Sequence, residues 1–201
     1  MLWIGLTGGI ATGKSTVARL LRERGYPVVD ADLLAREVVQ IGTPGHADVL
    51  KHFGPAAVTD TGELNRAKIA ELVFTDSKKR EQLETLLHPR IRALADERRA
   101  ELAKAGHKVA FYDVPLLFEK DMKSLFDKVI CVYCPPDLQM ARLITRNDFD
   151  METAQERVDA QMPIDTKAKL ADIVLKNETD VWDLGRALDQ VLAQFPKPVG
   201  K

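Results

Sequence analysis

A glycine-rich loop near the N-terminus is the feature that most limits how this chain can fold. The apolar run before it, residues 2–6, is typical of a strand, and residues 16–21 after it are typical of an amphipathic helix. Glycines let consecutive backbone N–H groups surround an anion, and a helix N-terminus adds partial positive charge. The pattern therefore predicts a strand, a phosphate-binding loop and a helix in succession. The loop matches G-x-x-x-x-G-K-[ST] and reads Gly8-Gly9-Ile10-Ala11-Thr12-Gly13-Lys14-Ser15.

Each part of this loop has an expected task in binding a nucleoside triphosphate. The Lys14 amine is expected to reach the β- and γ-phosphates, and the Ser15 hydroxyl to bind Mg²⁺. The alternative is a turn that merely connects a strand to a helix, but the flanking patterns favour phosphate binding. Kinases, GTPases and motor-type ATPases all use such loops, so the reaction stays open. The expected nucleotide-binding set is Ala11, Thr12, Gly13, Lys14, Ser15 and Thr16.

Apolar, β-branched runs alternate with stretches of helical period along the rest of the chain. This alternation is typical of an α/β fold with a mainly parallel five-stranded sheet, here the three-layer type of P-loop NTPases. The predicted strands are residues 3–7, 27–29, 109–114, 129–133 and 173–175. The predicted helices are residues 14–24, 33–39, 46–53, 66–73, 78–105, 136–146 and 181–194.

The interval between the second and third strands is far longer than a simple crossover requires. We therefore predict a single P-loop kinase domain over residues 1–195 that carries a helical insertion and a mobile, polar lid. The predicted parts are a core at 1–30, 107–141 and 170–195, an acceptor-binding insertion at 31–106, a lid at 142–169 and a tail at 196–201.

Charge and hydropathy exclude several kinds of partner. The chain has 29 basic and 30 acidic residues, a net charge of −1, so no overall field attracts it to nucleic acid or a membrane. No stretch approaches the roughly 18 apolar residues that a membrane span needs, and no basic-then-apolar leader precedes the first strand. We expect a cytoplasmic protein. Cys131 and Cys134 form a C-x-x-C pair inside a β-type run, where buried strand cysteines are expected rather than a redox or zinc site.

Two carboxylates, Asp30 and Asp32, follow the second predicted strand. The carboxyl ends of parallel strands face the ligand crevice, so this pair is expected on the same rim as the phosphate-binding loop. Asp32 is expected to accept or orient the proton of a substrate hydroxyl, because Asp30 is expected to point toward the packing of the sheet. The alternative is that Asp32 only caps a helix beginning at Leu33.

Further charged residues are candidates for a metal or phosphate site. Asp113 ends the third predicted strand, where it would support Mg²⁺ or simply cap the next loop, and Glu119 is a weaker candidate. Arg142 and Arg146 are four residues apart, so they share a helix face and would contact a triphosphate when the lid closes. The alternative for both arginines is a solvated position with no special role.

The predicted insertion contains His88-Pro89-x-Ile91-Arg92. His88 is either a functional group or a helix N-terminal element that places Pro89 in the first turn. Arg92 would meet an anionic group of the acceptor.

Taken together, these elements resemble the dephospho-coenzyme A kinase family. The phosphate-binding loop alone indicates only an NTPase, whereas the D-A-D, H-P-x-I-R and Q-M-P elements are specific to the family. The matching elements run in the expected order over residues 3 to about 177: Gly5-Leu6-Thr7-Gly8-Gly9-Ile10, Asp30-Ala31-Asp32, His88-Pro89-x-Ile91-Arg92, Val114-Pro115-Leu116-Leu117-Phe118-Glu119, Gln139, Arg142, Arg146, Gln161-Met162-Pro163, Lys167, Asp172 and Asn177.

The resemblance implies transfer of the γ-phosphoryl group of ATP, with Mg²⁺, to the ribose 3′-hydroxyl of dephospho-coenzyme A, the final step of coenzyme A biosynthesis. Two positions depart from the family pattern: Ala11-Thr12 stands where Gly-Ser is common, and Glu178-Thr179 where a glycine often follows. The implied residues are Asp32 and Arg142, together with Lys14 of the loop, for catalysis, Thr7, Asp32, His88 and Arg92 for the acceptor, and Arg146 and Asn177 for the nucleotide. The expected metal ligands are Ser15, from the loop motif, and Asp113, from its place at the strand end, which is not a fixed feature of the family.

Three other classes are alternatives. A small-molecule P-loop kinase acting on a nucleoside monophosphate or a shikimate-like acceptor would lack the D-A-D and H-P-x-I-R elements. A GTPase would need N-K-x-D, whereas the nearest sequence is Asn177-Glu178-Thr179-Asp180. A non-catalytic ATP-binding module would have no need of Asp32 beside an intact Lys14 and Ser15.

Overall fold

The computed structural model describes residues 1–199, with Phe74 and Thr75 described by their backbone alone. It confirms the α/β fold and the five predicted strands. These strands form one sheet in the order β2-β3-β1-β4-β5. They are β1 (Leu2–Gly8), β2 (Val28–Asp30), β3 (Val109–Asp113), β4 (Lys128–Tyr133) and β5 (Ile173–Lys176).

The centre of the sheet is β1, which pairs in parallel with β3 on one side and with β4 on the other. β4 in turn pairs in parallel with β5. The register places Leu6 opposite Asp113, and Gly8 opposite Val132. The carboxyl ends of β1 and β3 therefore lie side by side, which positions the chemistry that follows each strand at one edge of the sheet.

The predicted helices are all present, with shifted ends, and the lid segment contains two further helices. Two short 3₁₀ turns, Pro55–Ala57 and Lys123–Leu125, were not predicted from the sequence. The α-helices are α1 (Lys14–Glu23), α2 (Ala31–Glu37), α3 (Pro44–Phe53), α4 (Arg66–Thr75), α5 (Ser77–Lys104), α6 (Pro136–Asn147), α7 (Met151–Asp159), α8 (Ile164–Leu170) and α9 (Val181–Leu192).

The chain divides into two compact units. The first comprises Met1–Val29 and the residues from Glu101 onward, and the second comprises Asp30–Ala100. No helix within residues 1–199 has the length and apolar content needed to cross a bilayer. Of the predicted tail, the Pro196 carbonyl accepts a hydrogen bond from the Tyr26 hydroxyl (3.3 Å), and residues 200–201 lie outside the described residues.

The first unit has its core where α1 and α9 pack against the sheet. Leu21 of α1 and Leu184 and Leu188 of α9 are almost completely buried against strand residues such as Ile4 and Phe111. Burying one such side chain contributes about 1.5–3 kcal/mol, far more than a helix gains from the intrinsic preference of any one residue. Packing against the sheet therefore holds both helices in place.

The second unit has a separate, smaller core. Its buried residues are Val49 of α3, Ala57 of the first 3₁₀ turn and Ile69 of α4. Leu83 and Leu87 of α5 pack against them. Local caps define the helices around this core. The Thr43 hydroxyl accepts the His46 N–H (3.2 Å) at the start of α3, and the Asn65 side chain accepts the Lys68 N–H (3.1 Å) at the start of α4.

Candidate active site

The loop between β1 and α1 is a tight reversal built from its own backbone. The N–H and the hydroxyl of Thr12 both donate to the Gly9 carbonyl, at 3.2 and 2.9 Å, and Thr12 is fully buried. Two residues adopt left-handed backbone conformations, Ala11 with φ +60° and Gly13 with φ +93°. Gly13 directly precedes Lys14, the first residue of α1. The backbone N–H groups of the loop therefore lie next to those of the first turn of the helix, where an anion can bind.

Other atoms lie close to the position that a Cβ atom would take at each of the three glycines of the loop. A Cβ atom on Gly8 would lie 2.8 Å from the Val132 carbonyl oxygen. On Gly9 it would lie 2.6 Å from Gln139 Nε2, and on Gly13 it would lie 2.2 Å from Asn177 Nδ2. A side chain at Gly8 would meet a backbone oxygen, and one at Gly13 would also strain a φ of +93°, whereas at Gly9 the end of the Gln139 side chain would have to move.

Lys14 forms an ion pair with the carboxylate of Asp113, the last residue of β3. Both side chains are largely buried, with exposed fractions of 16% for Lys14 and 6% for Asp113. The predicted position of Asp113 at the strand end is confirmed. Its carboxylate faces the lysine of the phosphate-binding loop, so a cation and an anion meet where the loop enters α1.

The oxygen ligands that Mg²⁺ prefers are present at this point. The Asp113 carboxylate is buried beside the loop, and the Ser15 hydroxyl is exposed on the first turn of α1. Within residues 1–199 no group of three or more His, Cys, Asp or Glu side chains could hold a metal ion by itself. Ser15 and Asp113 together suit a Mg²⁺ ion of phosphoryl transfer, for which phosphates and waters would supply the other ligands.

Asn177, just beyond β5, connects the far side of the sheet to the loop. Its side chain Nδ2 donates to the Thr12 carbonyl (2.8 Å), and its own carbonyl accepts from Arg142 Nη1 (2.9 Å). Arg142 also donates to the Thr179 carbonyl at 3.4 Å. Arg142 is thus tied to backbone carbonyls of residues 177–179, and Asn177 braces the loop.

Arg142 and Arg146 lie on α6, which runs without a break from Pro136 to Asn147. The predicted start of the lid at residue 142 therefore falls inside a helix of the first unit. Arg146 is exposed, and its Nε donates to the Asn147 side chain (2.8 Å). Arg142 is half-buried and held, whereas Arg146 is placed at the surface of the same helix.

Two glutamines that the sequence did not assign to the site contact the loop. Gln139 Nε2 donates to the Ile10 carbonyl, and Gln161 Oε1 accepts the Ile10 N–H, both at 2.8 Å. Both residues belong to elements that carry the family resemblance. No periodicity or spacing predicts these contacts, because the glutamines lie on separate segments distant in sequence from Ile10.

Thr7, predicted to line the acceptor site, is fully buried at the end of β1. Its hydroxyl donates to the Pro115 carbonyl (3.2 Å), which also accepts from Lys167 Nζ (2.9 Å). Lys167 is completely buried and pairs with Glu119 Oε1 at 2.7 Å. Glu119, a weaker metal candidate from the sequence, is thus engaged by a lysine from α8.

The two cysteines are buried and free, as expected from their strand. Burial raises the pKa of the Cys131 thiol to about 12, although the positive charge of Lys167 opposes the shift. Burial also raises the pKa of Cys134. Because the thiolate is the reactive form, neither residue is set up as a nucleophile or a metal ligand at neutral pH.

In the second unit, the structure corrects the expected orientation of Asp30 and the alternative that Asp32 is a helix cap. Asp30, not Asp32, caps the helix: its Oδ1 accepts the N–H groups of Asp32 and Leu33, at 2.9 and 3.2 Å. The helix accordingly begins at Ala31 rather than Leu33, because the cap lies two residues earlier than the predicted one. The Asp32 side chain is exposed and has no capping task, which leaves it available to a ligand.

His88 and Arg92 lie one helical turn apart on α5, so their side chains share a face, and both residues are exposed. The alternative that His88 precedes the first turn of a helix is wrong, since Pro89 lies inside the 28-residue α5. A proline in a helix interior removes one backbone hydrogen bond. α5 nevertheless continues for several turns on both sides of Pro89.

A strand, a phosphate-binding loop and a helix joined in this way, on a parallel sheet ordered β2-β3-β1-β4-β5, define a P-loop kinase. The family model for dephospho-CoA kinase matches residues 2–183, so the chain belongs to the dephospho-CoA kinase family. A dephospho-CoA kinase from Listeria monocytogenes is 44% identical over 194 residues, which cover 96% of this chain and 97% of that relative.

Solved structures agree with this assignment. The structure of TT1252 from Thermus thermophilus superposes with a TM-score of 0.82 at 38% identity, covering 97% of this chain and 98% of the other. Dephospho-CoA kinase from Campylobacter jejuni superposes with a TM-score of 0.74 at 28% identity, covering 96% of each chain.

Proposed function

We propose that the protein transfers the γ-phosphoryl group of ATP to the ribose 3′-hydroxyl of dephospho-coenzyme A, giving coenzyme A and ADP. The observation that carries this proposal is the Lys14–Asp113 pair at the phosphate-binding loop of a chain in the dephospho-CoA kinase family. The proposal includes the two small-molecule substrates, the final place in coenzyme A biosynthesis and action in the cytoplasm.

On the donor side, backbone N–H groups of residues 11–16 surround the phosphates. The Lys14 amine moves from Asp113 to the β- and γ-phosphate oxygens, because a polyphosphate carries more negative charge than one carboxylate. Ser15 and Asp113 would hold Mg²⁺, which would supply positive charge to the phosphate oxygens. Arg142 and Arg146 neutralise charge on the transferring group, and Asn177 keeps the loop in shape beside the nucleotide.

On the acceptor side, Asp32 accepts or orients the proton of the 3′-hydroxyl. Its exposed carboxylate supports this role, since its neighbour Asp30 already serves as the helix cap. His88 and Arg92, on one face of α5, bind anionic groups of dephospho-coenzyme A. Thr7, whose buried hydroxyl donates to the Pro115 carbonyl, shapes the acceptor site at the end of β1. Phosphoryl transfer requires mainly positioning and charge neutralisation, which this set of side chains can supply.

The direct test is ADP release measured with a panel of acceptors: dephospho-coenzyme A, AMP, CMP and shikimate. We expect acceleration with dephospho-coenzyme A alone. ADP release that dephospho-coenzyme A does not accelerate would refute the proposed function, and acceleration by AMP, CMP or shikimate would replace it with another small-molecule kinase activity.

The role of Asp32 is tested with a matched pair of variants. We expect Asp32→Asn to lower kcat by roughly 10²–10⁴-fold while ATP still binds, because the acceptor hydroxyl loses its base. Asp30→Asn is the control, since asparagine is as good a helix cap as aspartate and should leave kcat near the wild-type value. Full activity of Asp32→Asn would remove it from the catalytic set.

A further inference from the structure

The phosphate-binding loop contains a strained turn at Ala11. Residues 9–12 form a β-turn, with the Thr12 N–H donating to the Gly9 carbonyl (3.2 Å) and Ala11 in the third position with φ +60°. A positive φ at this position is typical of a type II turn, which favours glycine there. Alanine disfavours it, because its Cβ crowds a carbonyl oxygen. The competing type I turn suits alanine and differs mainly in the orientation of the central peptide.

The central peptide of this turn joins Ile10 to Ala11, and Gln139 holds its carbonyl oxygen. Gln139 Nε2 donates to the Ile10 carbonyl at 2.8 Å, and Gln139 is buried with only 3% of its surface exposed. Gln161 Oε1 accepts the Ile10 N–H at 2.8 Å, which fixes the preceding peptide as well. Because a trans peptide is planar, holding the Ile10 carbonyl toward Gln139 directs the Ala11 N–H to the opposite side.

We propose that Gln139 and Gln161 are positioning residues that keep this turn in the conformation that binds phosphate. In the absence of the hydrogen bond from Gln139, Ala11 favours the type I turn, in which the central peptide rotates and the Ala11 N–H points elsewhere. Gln139 thereby compensates for a residue that is poorly suited to its backbone conformation. The inference rests on the proposed function only in that the loop binds ATP.

Gln161 is itself held by a buried network. The N–H of its neighbour Met162 donates to Glu119 Oε1 (3.0 Å), and the same oxygen pairs with Lys167 Nζ (2.7 Å). Lys167 is completely buried, and Glu119 Oε2 is buried without a hydrogen-bond partner among residues 1–199. A buried ion pair that leaves one oxygen unsatisfied contributes little net stability. Placement of the Gln161 segment against the loop is a better account of this pair than stability.

The test uses Gln139→Met, which keeps roughly the same side-chain volume but removes the donor to the Ile10 carbonyl. Affinity for ATP with magnesium is measured by titration calorimetry, alongside kcat and KM. We expect Gln139→Met to weaken ATP binding by about 5- to 30-fold, the range that corresponds to the cost of a left-handed alanine. Gln155→Met is the matched control, because Gln155 is exposed on α7 and its side chain donates to Asp159 of the same helix; we expect wild-type affinity.

The decisive variant adds Ala11→Gly to Gln139→Met. Glycine adopts the turn without strain, so we expect most of the lost affinity to return. A general loss of packing would not be reversed by this change. Affinity of Gln139→Met within twofold of wild type, or a loss that Ala11→Gly does not reverse, would overturn the proposal. Because ATP binding is measured directly, the result is separate from whether dephospho-coenzyme A is the acceptor.

Discussion

At the level of single residues, the phosphate-binding loop depends on glycines, which have no Cβ atom. Gly8, Gly9 and Gly13 each lie where a Cβ atom would meet another group at less than 3 Å. Gly13 has a second reason to be glycine, its φ of +93°. A side chain there would strain the backbone and also push away Asn177, which braces the Thr12 carbonyl. Gly13 is therefore needed both for its positive φ and for the space that the Asn177 side chain occupies beside it.

We predict that Gly13→Ala weakens ATP binding more than tenfold and also destabilises the fold. The matched control is Gly106→Ala, because Gly106 has a similar φ of +88° but nothing within 4 Å of the position of its Cβ. The control should lose only about 1–2 kcal/mol of unfolding free energy, from backbone strain, and keep its ATP affinity. Calorimetric titration and urea unfolding measure both effects. Equal behaviour of the two variants would show that contact with Asn177 is unimportant.

At the scale of elements, long-range contacts anchor the helices that flank the loop. α1 packs beside α9, and Arg24 at the end of α1 spans the two helices. Its guanidinium donates to both carboxylate oxygens of Asp189 (2.6 and 3.1 Å) and to the Gly185 carbonyl (3.2 Å). These contacts tie the helix that follows the phosphate-binding loop to the C-terminal helix.

Asp189→Asn should lower the unfolding free energy by less than about 1 kcal/mol at neutral pH, since the carboxylate is more than half exposed. The hydrogen bond from Arg24 lowers the pKa of Asp189 below 3.8. A group with a lowered pKa stabilises the fold above its unfolded-state pKa and loses that effect as the pH falls through its folded-state value. The difference between wild type and variant should therefore be constant above about pH 5 and vanish in the acid range below pH 3.8.

The measurement is urea unfolding from pH 7 downward, with Arg24→Gln and the double variant completing a double-mutant cycle. Coupling between Arg24 and Asp189 should fall to zero along with the difference. Coupling that stays constant into the acid range would contradict an ionic contribution.

At the scale of the whole molecule, the proposed substrate residues are divided between two units. The phosphate-binding loop, Asp113 and Arg142 belong to the first unit, whereas Asp32 and the α5 residues belong to the second. Each unit has its own apolar core. A nucleotide that binds the loop of the first unit should stabilise the native chain by mass action alone, before any acceptor is present.

We predict that ATP with magnesium, at 100 times its Kd, adds about 2.7 kcal/mol to the unfolding free energy. For a chain of this size that raises the Tm by roughly 5–10 °C, which differential scanning fluorimetry measures. Lys14→Met should lose most of this shift. Lys51→Met, a change at an exposed position of α3, should keep it. An undiminished shift in Lys14→Met would exclude its role in binding phosphate.

Local patterns in the amino-acid sequence were enough to predict the helices, the strands and the phosphate-binding loop. Strand and helix periods and the spacing of glycines are local properties, because they depend on neighbours within a few residues. Positions of Lys14, Ser15 and Asp113 at the ends of their elements followed directly from this pattern. The alternative that Asp32 caps the helix is wrong, because two carboxylates two residues apart satisfy the same local rule and only the backbone geometry selects Asp30.

Which side chains contact one another became known only from the folded chain. Lys14 pairs with Asp113, 99 positions away in sequence, and Ile10 is held by Gln139 and Gln161 from 129 and 151 positions away. Such contacts depend on strand order and on how segments pack, which no local period encodes. The sequence therefore specified a loop that binds phosphate, while the packing of distant segments determined the conformation in which that loop is held.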